Sequence, residues 1–233
     1  MSEPIEHLEV DAEGRVLSRQ TLVEGRLEGE ALTYAESGQL LLSEPFVAGK
    51  LEGEALEYDG SGRLLRRARF RGGVPHGETV FFDQAGRVEQ RFTFLDGRLD
   101  GEAAIFDRGR PQAVLHYKDG RQEGAFVAYG EAGLPALESQ YREGRLHGEA
   151  SWYGPDGVLV RRGTYVDGEL EGDVLDLHEN GRVREKSPYR AGKLHGEVVR
   201  YRKNGTVREA ARFVEGQPQG PPVPHDEKGR PER

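Results

Sequence analysis

The sequence predicts an all-β fold, an elongated single-layer antiparallel meander of tandem β-hairpins, each unit 24 residues long. Three observations predict it. Glycines recur in three series that stay in phase along the chain. An aromatic residue closes each of the two short segments that the glycines separate. Within those segments, apolar and polar residues alternate with a period of two. A helical reading fails, because glycine at this frequency would cost about 1 kcal/mol at each interior helical position.

The first series, in a Gly-Glu step, runs Gly29, Gly53, Gly77, Gly101, Gly124, Gly148, Gly172, Gly196 and Gly220, with an interval of 24 residues throughout except for one of 23. A second begins at Gly25 and Gly49, a third at Gly14 and Gly38, and both keep the same pace. Glycine supplies the positive φ of a tight reversal, so each unit reads as two strands joined by glycine turns.

Residues 1–10 form an N-terminal segment without the charged and apolar regions of a signal peptide. Residues 11–22 read as a half unit that contributes a first strand. Eight full units follow, and the array with its terminal half-units covers 11–220. At ~4.8 Å per strand it would span roughly 75–80 Å. Prolines after Gly216 fall where another strand would start, which stops pairing, and 221–233 reads as a polar, disordered tail.

Alternation sorts the side chains. In the first segment of each unit Leu32, Leu56, Val80, Val127, Leu175 and Val199 share a side with the closing aromatic, such as Tyr34 or Tyr58. In the second, Leu40, Leu64, Val88, Leu159, Val183 and Val207 are expected beside theirs, such as Phe46 or Phe70. Arg67, Arg69, Arg91, Arg162, Arg184 and Lys186 would then occupy the other side. One aromatic and aliphatic face and one charged face are therefore expected.

Composition narrows the function classes. The net charge of −8 has both signs interspersed, so there is no basic footprint for nucleic acid and little support for binding an anionic membrane. Cysteine is absent, which excludes disulfides, thiolate metal sites and cysteine nucleophiles, and fits a cytoplasmic protein.

The unit Tyr-x-x-Gly-x-Leu-x-Gly-Glu-x-x-x-Tyr, as in Tyr141–Tyr153, resembles the MORN repeat in the bacterial variant of YwqK-type proteins, over about residues 11–220. The resemblance implies stacked hairpins, no catalytic motif and, for bacterial members, a role as an antitoxin or immunity component that masks a toxin or effector. The alternative it offers is a structural or membrane-associated scaffold.

His76, His147 and His195 occupy one slot of the repeat, His-Gly-Glu. Equivalent positions in adjacent units lie about 9–10 Å apart, too far to share an ion whose ligands sit ~2 Å away, and other units place Glu28, Glu52, Asp100 or Glu171 there. The slot reads as a solvated turn position, with no metal or cofactor site. The recurring Glu30, Glu54, Glu78, Glu102, Glu149 and Glu197 likewise read as structural, and no nucleophile–base set points to an enzyme.

The departures from the repeat are the functional candidates. Where most units place Ala, Thr or a charge, the middle units place Phe81, Ile105, Phe126 and Trp152. These side chains either fill gaps against one another or form an apolar patch that meets a protein partner. The same region loses a residue before Gly109. The face that binds and the oligomeric state stay open at this stage.

Overall fold

The structure, a computed structural model, describes residues 3–232. Among these there is no helix, and the strands form an antiparallel meander of hairpins, as expected. The chain divides into two compact units. One runs to Pro111 and includes Tyr117–Gly120; the other comprises Gln112–His116 and the chain from Arg121 onward. The strand Arg110–Lys118 contributes to both.

Two kinds of turn alternate. The first is a two-residue reversal such as Glu24-Gly25, flanked by the pair Val23 and Arg26. Both loop residues have positive φ (52° and 75°), the geometry whose twist matches that of the flanking strands. Glycine always holds the second position, whereas the first is Glu24, Ala48, Gly72, Asp96, Asp119, Glu143, Asp167, Ala191 or Glu215. The residue missing before Gly109 has the same explanation: Arg108 (φ 50°) and Gly109 (φ 79°) make a two-residue reversal where other units use a longer turn.

At Asp11, Asp59, Asp83 and Asp226 the longer turn is held by a carboxylate. Asp59 Oδ1 accepts the backbone N–H groups of Ser61 (2.8 Å) and Arg63 (3.0 Å), and its Oδ2 accepts Arg63 Nε (2.7 Å). Asp11, Asp83 and Asp226 repeat the arrangement with Arg15, Arg87 and Arg230. Hydrogen bonds to the ionised form lower the carboxyl pKa, chiefly from the Ser61 hydroxyl at Asp59 and from the backbone N–H of Arg15, Arg87 and Arg230 at the others.

The faces differ from the expectation. Tyr34 pairs with Leu40, but Thr33 pairs with Leu42, so Leu41 is an extra residue in the returning strand. The same bulge recurs beside Tyr58, Tyr153, Leu177 and Tyr201. Directly opposed residues of an antiparallel pair share a face, so one extra residue inverts the alternation beyond it. Leu40 therefore lies with Tyr34 and Leu32, while Phe46, opposite Gly29, lies on the other face with Ala31. Arg67 and Arg69, opposite Leu56 and Glu54, share the tyrosine face, where Arg67 bonds Glu78 (2.9 Å). Neither face is wholly apolar or wholly charged.

The buried core is accordingly made of small residues at strand centres. Ala55, Ala68, Ala103, Ala104, Ala150 and Val174 are each at most 5% exposed. Gly163, opposite Ala150, leaves room for its neighbour: a Cβ there would sit 3.0 Å from Val174 Cγ2.

The Gly-Glu glycines are not in turns. Between hairpins, Ser43 pairs with Leu56 and Phe46 with Leu51, so the incoming strand swells around Gly53, whose φ is 108°. Gly196 (φ 124°) is the tightest case, since a Cβ would lie 2.9 Å from Pro188 Cγ.

Both ends carry more structure than expected. Ile5–Val10, within the N-terminal segment 1–10, pairs antiparallel with Val16–Val23 and completes the first hairpin. The segment 221–232, expected to be disordered, instead adds the short strand Val223–Pro224 beside Glu209 and Ala210, and closes the Asp226–Arg230 turn. Arg202 Nη2 donates to the His225 carbonyl (2.6 Å) and fixes it.

Two outcomes are expected. Gly196→Ala adds steric overlap to left-handed strain and destabilises by about 2–3 kcal/mol, whereas Gly216→Ala, with open space at its Cβ, costs about 1 kcal/mol; denaturant titration of both variants checks the difference. The turn aspartates bind protons less readily folded than unfolded. Their stabilisation is complete above the ordinary carboxylate range and is lost as pH falls through the lowered folded values. Asp59→Asn is therefore expected to flatten the fall of stability below about pH 4, read from thermal midpoints against pH.

Candidate binding site

The bulge places the four departing side chains on the face of Phe46 and its equivalents. In the first unit, Phe81 and Ile105 both stand opposite Gln90, one on each neighbouring strand. Phe81 meets Phe92 edge-on with centroids 6.2 Å apart, and Ile105 is exposed. In the second unit, Phe126 meets Tyr141 edge-on at 6.0 Å, and Trp152 meets Tyr165 at 6.4 Å. The three aromatics are half-buried. Each packs against an aromatic of a neighbouring strand, the closing Tyr141 and Tyr165 for Phe126 and Trp152 and the mid-strand Phe92 for Phe81, so part of its surface already serves the sheet.

Trp152 differs from the other two in what surrounds it. It stands directly opposite Arg161, whose guanidinium carbon lies 5.6 Å from the ring centroid. A groove of about 680 Å³ opens beside it, lined by Trp152, Val160, Arg161, Tyr165, Asp176 and Arg184 among others. Val160 is the extra residue of its bulge and so turns to the tryptophan's side. Arg184, the equivalent residue one hairpin on, does the same and comes within 3.8 Å of Asp176. Asp176 also faces Arg161 at 4.0 Å. The result is an aromatic wall, an aliphatic edge and two guanidiniums around one carboxylate.

Sequence reasoning singled out Trp152 and missed the rest of this groove. It put Tyr165 and Arg184 on opposite faces by counting parity, whereas the bulge brings both to the tryptophan's side. A one-residue bulge leaves no residue signature of its own in Leu159-Val160-Arg161; it is visible only in the pairing.

The histidine slot is a structural position of the repeat. From Glu28 to Glu171 its residue receives the backbone N–H of the two-residue turn one unit later, whereas His195 meets the side chains of Arg190 and Glu215, each at 3.2 Å. Glu28 Oε2 accepts Ala48 N (2.8 Å), Glu52 Oε2 accepts Gly72 N (2.7 Å) and Glu171 Oε2 accepts Ala191 N (2.9 Å). His76 and His147 receive Asp96 N and Asp167 N at 3.4 Å through Nδ1. The turn carboxylates of Asp96 and Asp167 also bond Arg71 (2.7 Å) and Arg142 (3.0 Å), which chiefly holds both below the usual range. The glutamate ladder is tied up in the same way, Glu78 by Arg67 and Glu102 by Arg91. Among the described residues, no cluster of three or more His, Cys, Asp or Glu is placed to hold a metal.

Trp152 is the only tryptophan, so its emission reports on the groove. Arg161→Ala removes a cation–π contact of about 0.5–1 kcal/mol and uncovers the ring. Acrylamide is expected to quench the variant more efficiently than the wild type.

Comparison with known proteins follows the same geometry. Residues 146–167 match the model of the MORN repeat variant. That segment holds the Gly-Glu step at Gly148, Trp152 and the bulge at Val160. No curated protein matches the chain. Among solved structures, the TcdB2-TccC3 crystal structure is similar at 13% identity and TM-score 0.16, covering 98% of this chain and 17% of that one. A porin-like protein from Bacteroides uniformis ATCC 8492 is similar at 10% identity and TM-score 0.18, covering 94% and 92%. At these scores neither likeness bears on shape or function. Residues 146–167 are thus similar to a MORN repeat variant, and the glycine pattern of that segment recurs from hairpin to hairpin along the chain.

Proposed function

We propose that this chain is a non-enzymatic protein-binding repeat module, an antitoxin or immunity-like protein of the cytoplasm that masks a toxin by covering it. The observation that supports this reading is the Trp152 groove. It combines an accessible aromatic pair with arginines and exposed valines, the residue types that dominate the energy of protein interfaces. Val158 and Val160, each 39% exposed, extend the apolar edge beside it.

In this mechanism the sheet is a rigid presenting surface. Its turns and bulges are fixed by glycine geometry and by hydrogen bonds between successive units, so little ordering cost is left to binding. A partner's apolar side chain would enter between Trp152 and Tyr165. A partner carboxylate would compete with Asp176 for Arg161 and Arg184. Phe126, on the same face of the same unit, would form a second anchor. Inhibition would be steric, with no bond made or broken in the partner.

The test is co-expression with the product of the adjacent open reading frame, followed by affinity measurement on the purified pair. Trp152→Ala with Phe126→Ala is expected to weaken binding by about thirtyfold, equivalent to ~2 kcal/mol, and to abolish protection of growth. Unchanged binding would place the contact elsewhere on the sheet. Flotation of the purified chain with anionic vesicles at physiological salt would support the membrane-scaffold alternative instead.

A further inference from the structure

The first and last described strands differ in what they can offer a neighbour. The last strand Val223–Pro224 sits among Pro221, Pro222 and Pro224, and proline has no N–H to offer a further strand. The first strand, Ile5–Val10, contains no proline. Among the described residues its strand partner is Val16–Val23 on one side, and every residue in it is exposed. Ile5 is 67%, Val10 52% and Leu8 47% exposed. An open, apolar-bearing edge of this kind is a template for strand addition.

We propose that the chain pairs with a second copy of itself through this edge, antiparallel and centred on Leu8. Symmetry and pleat leave few choices. Two identical edges can meet antiparallel only about a two-fold axis perpendicular to the sheet, which keeps each face on its own side. Opposed residues must then share a face, so Glu6, Leu8 and Val10 of one copy can face only one another in its mate, as can Ile5, His7 and Glu9. Two long registers satisfy this. One sets His7 against His7, Glu6 against Leu8 and Ile5 against Glu9, which opposes charge to aliphatic surface throughout. The other sets Leu8 against Leu8 and His7 against Glu9 twice, with Glu6 facing Val10. The second matches apolar to apolar at the axis and base to acid on either side of it, so the strand complements itself.

The surrounding surface fits the same occupant. Leu8 pairs with Arg19, which pairs in turn with Leu32, so Leu8 lies on the tyrosine face. There it borders a shallow groove of about 560 Å³ walled by Val16, Arg19 and Tyr34. The second Leu8 would lie at its mouth. One strand pair buries less surface than a permanent dimer requires, so the association is weak and concentration-dependent.

Sedimentation equilibrium of the untagged full chain tests this. The wild type is expected to show a monomer–dimer equilibrium. Leu8→Lys, which places two cations on the axis, should weaken it by about tenfold or more while leaving the far-ultraviolet spectrum and the thermal midpoint in place. Glu9→Lys should weaken it likewise. The double variant His7→Glu with Glu9→Lys restores opposite charges across the axis and should recover dimerisation, an outcome that a merely structural role for these exposed residues would not give. A wild-type chain that stays monomeric at every accessible concentration overturns the proposal. So does a dimer that Leu8→Lys leaves intact, or a double variant no better than Glu9→Lys alone; this last comparison also decides the matter if Leu8→Lys fails to fold.

Discussion

One extra residue in the returning strand of a hairpin decides which side chains of this protein can meet. An antiparallel ladder places directly opposed residues on one face, and alternation along each strand does the rest. Inserting Leu41, Val160 or Arg184 shifts every later residue to the other side without changing the length of the repeat. The two aromatics of a unit, which parity would gather on one surface, are thereby sent to opposite surfaces. The arginines that parity would isolate are brought among leucines and tyrosines. The core of small residues and the groove at Trp152 both follow from this displacement.

Repetition supplies what a single hairpin lacks. An isolated two-stranded ribbon is marginal in water, and the buried residues here are mostly small, alanine and serine above all, each contributing little. Stability is instead spread over bonds between successive units. The acceptor before most Gly-Glu steps receives the backbone N–H of the next reversal, as Glu52 does from Gly72, and arginine–glutamate pairs such as Arg67 and Glu78 tie neighbouring strands. The ion pairs are partly exposed and individually weak, and their weight lies in number and in fixing register. The histidines at this slot are one of several acceptors the turn can use, which is why glutamate or aspartate replaces them in other units.

The proposed binding function rests on the irregular positions. A surface that repeats identically offers a partner no unique place to dock, whereas Trp152 beside Arg161, Tyr165 and Asp176 is a local break in the pattern. The midpoint of the array is also where the turn shortens to Arg108-Gly109. Phe81 and Phe126 show the limit of that argument, because each is partly covered by the aromatic it packs against.

The sequence by itself determined the fold class, the period, the hairpin as the unit and the position of most strands, because glycine at fixed intervals has a direct backbone meaning. It also singled out Trp152 as anomalous in its slot. Only the tertiary structure decided the faces, the place of the Gly-Glu glycines in strand swellings rather than turns, and the order at both ends. Bulges and cross-strand bonds are relations between residues far apart in the chain. A count of two sets Val160 and Arg161 on opposite faces, and only the bulge between the pairs Trp152–Arg161 and Tyr153–Leu159 brings both side chains to one side.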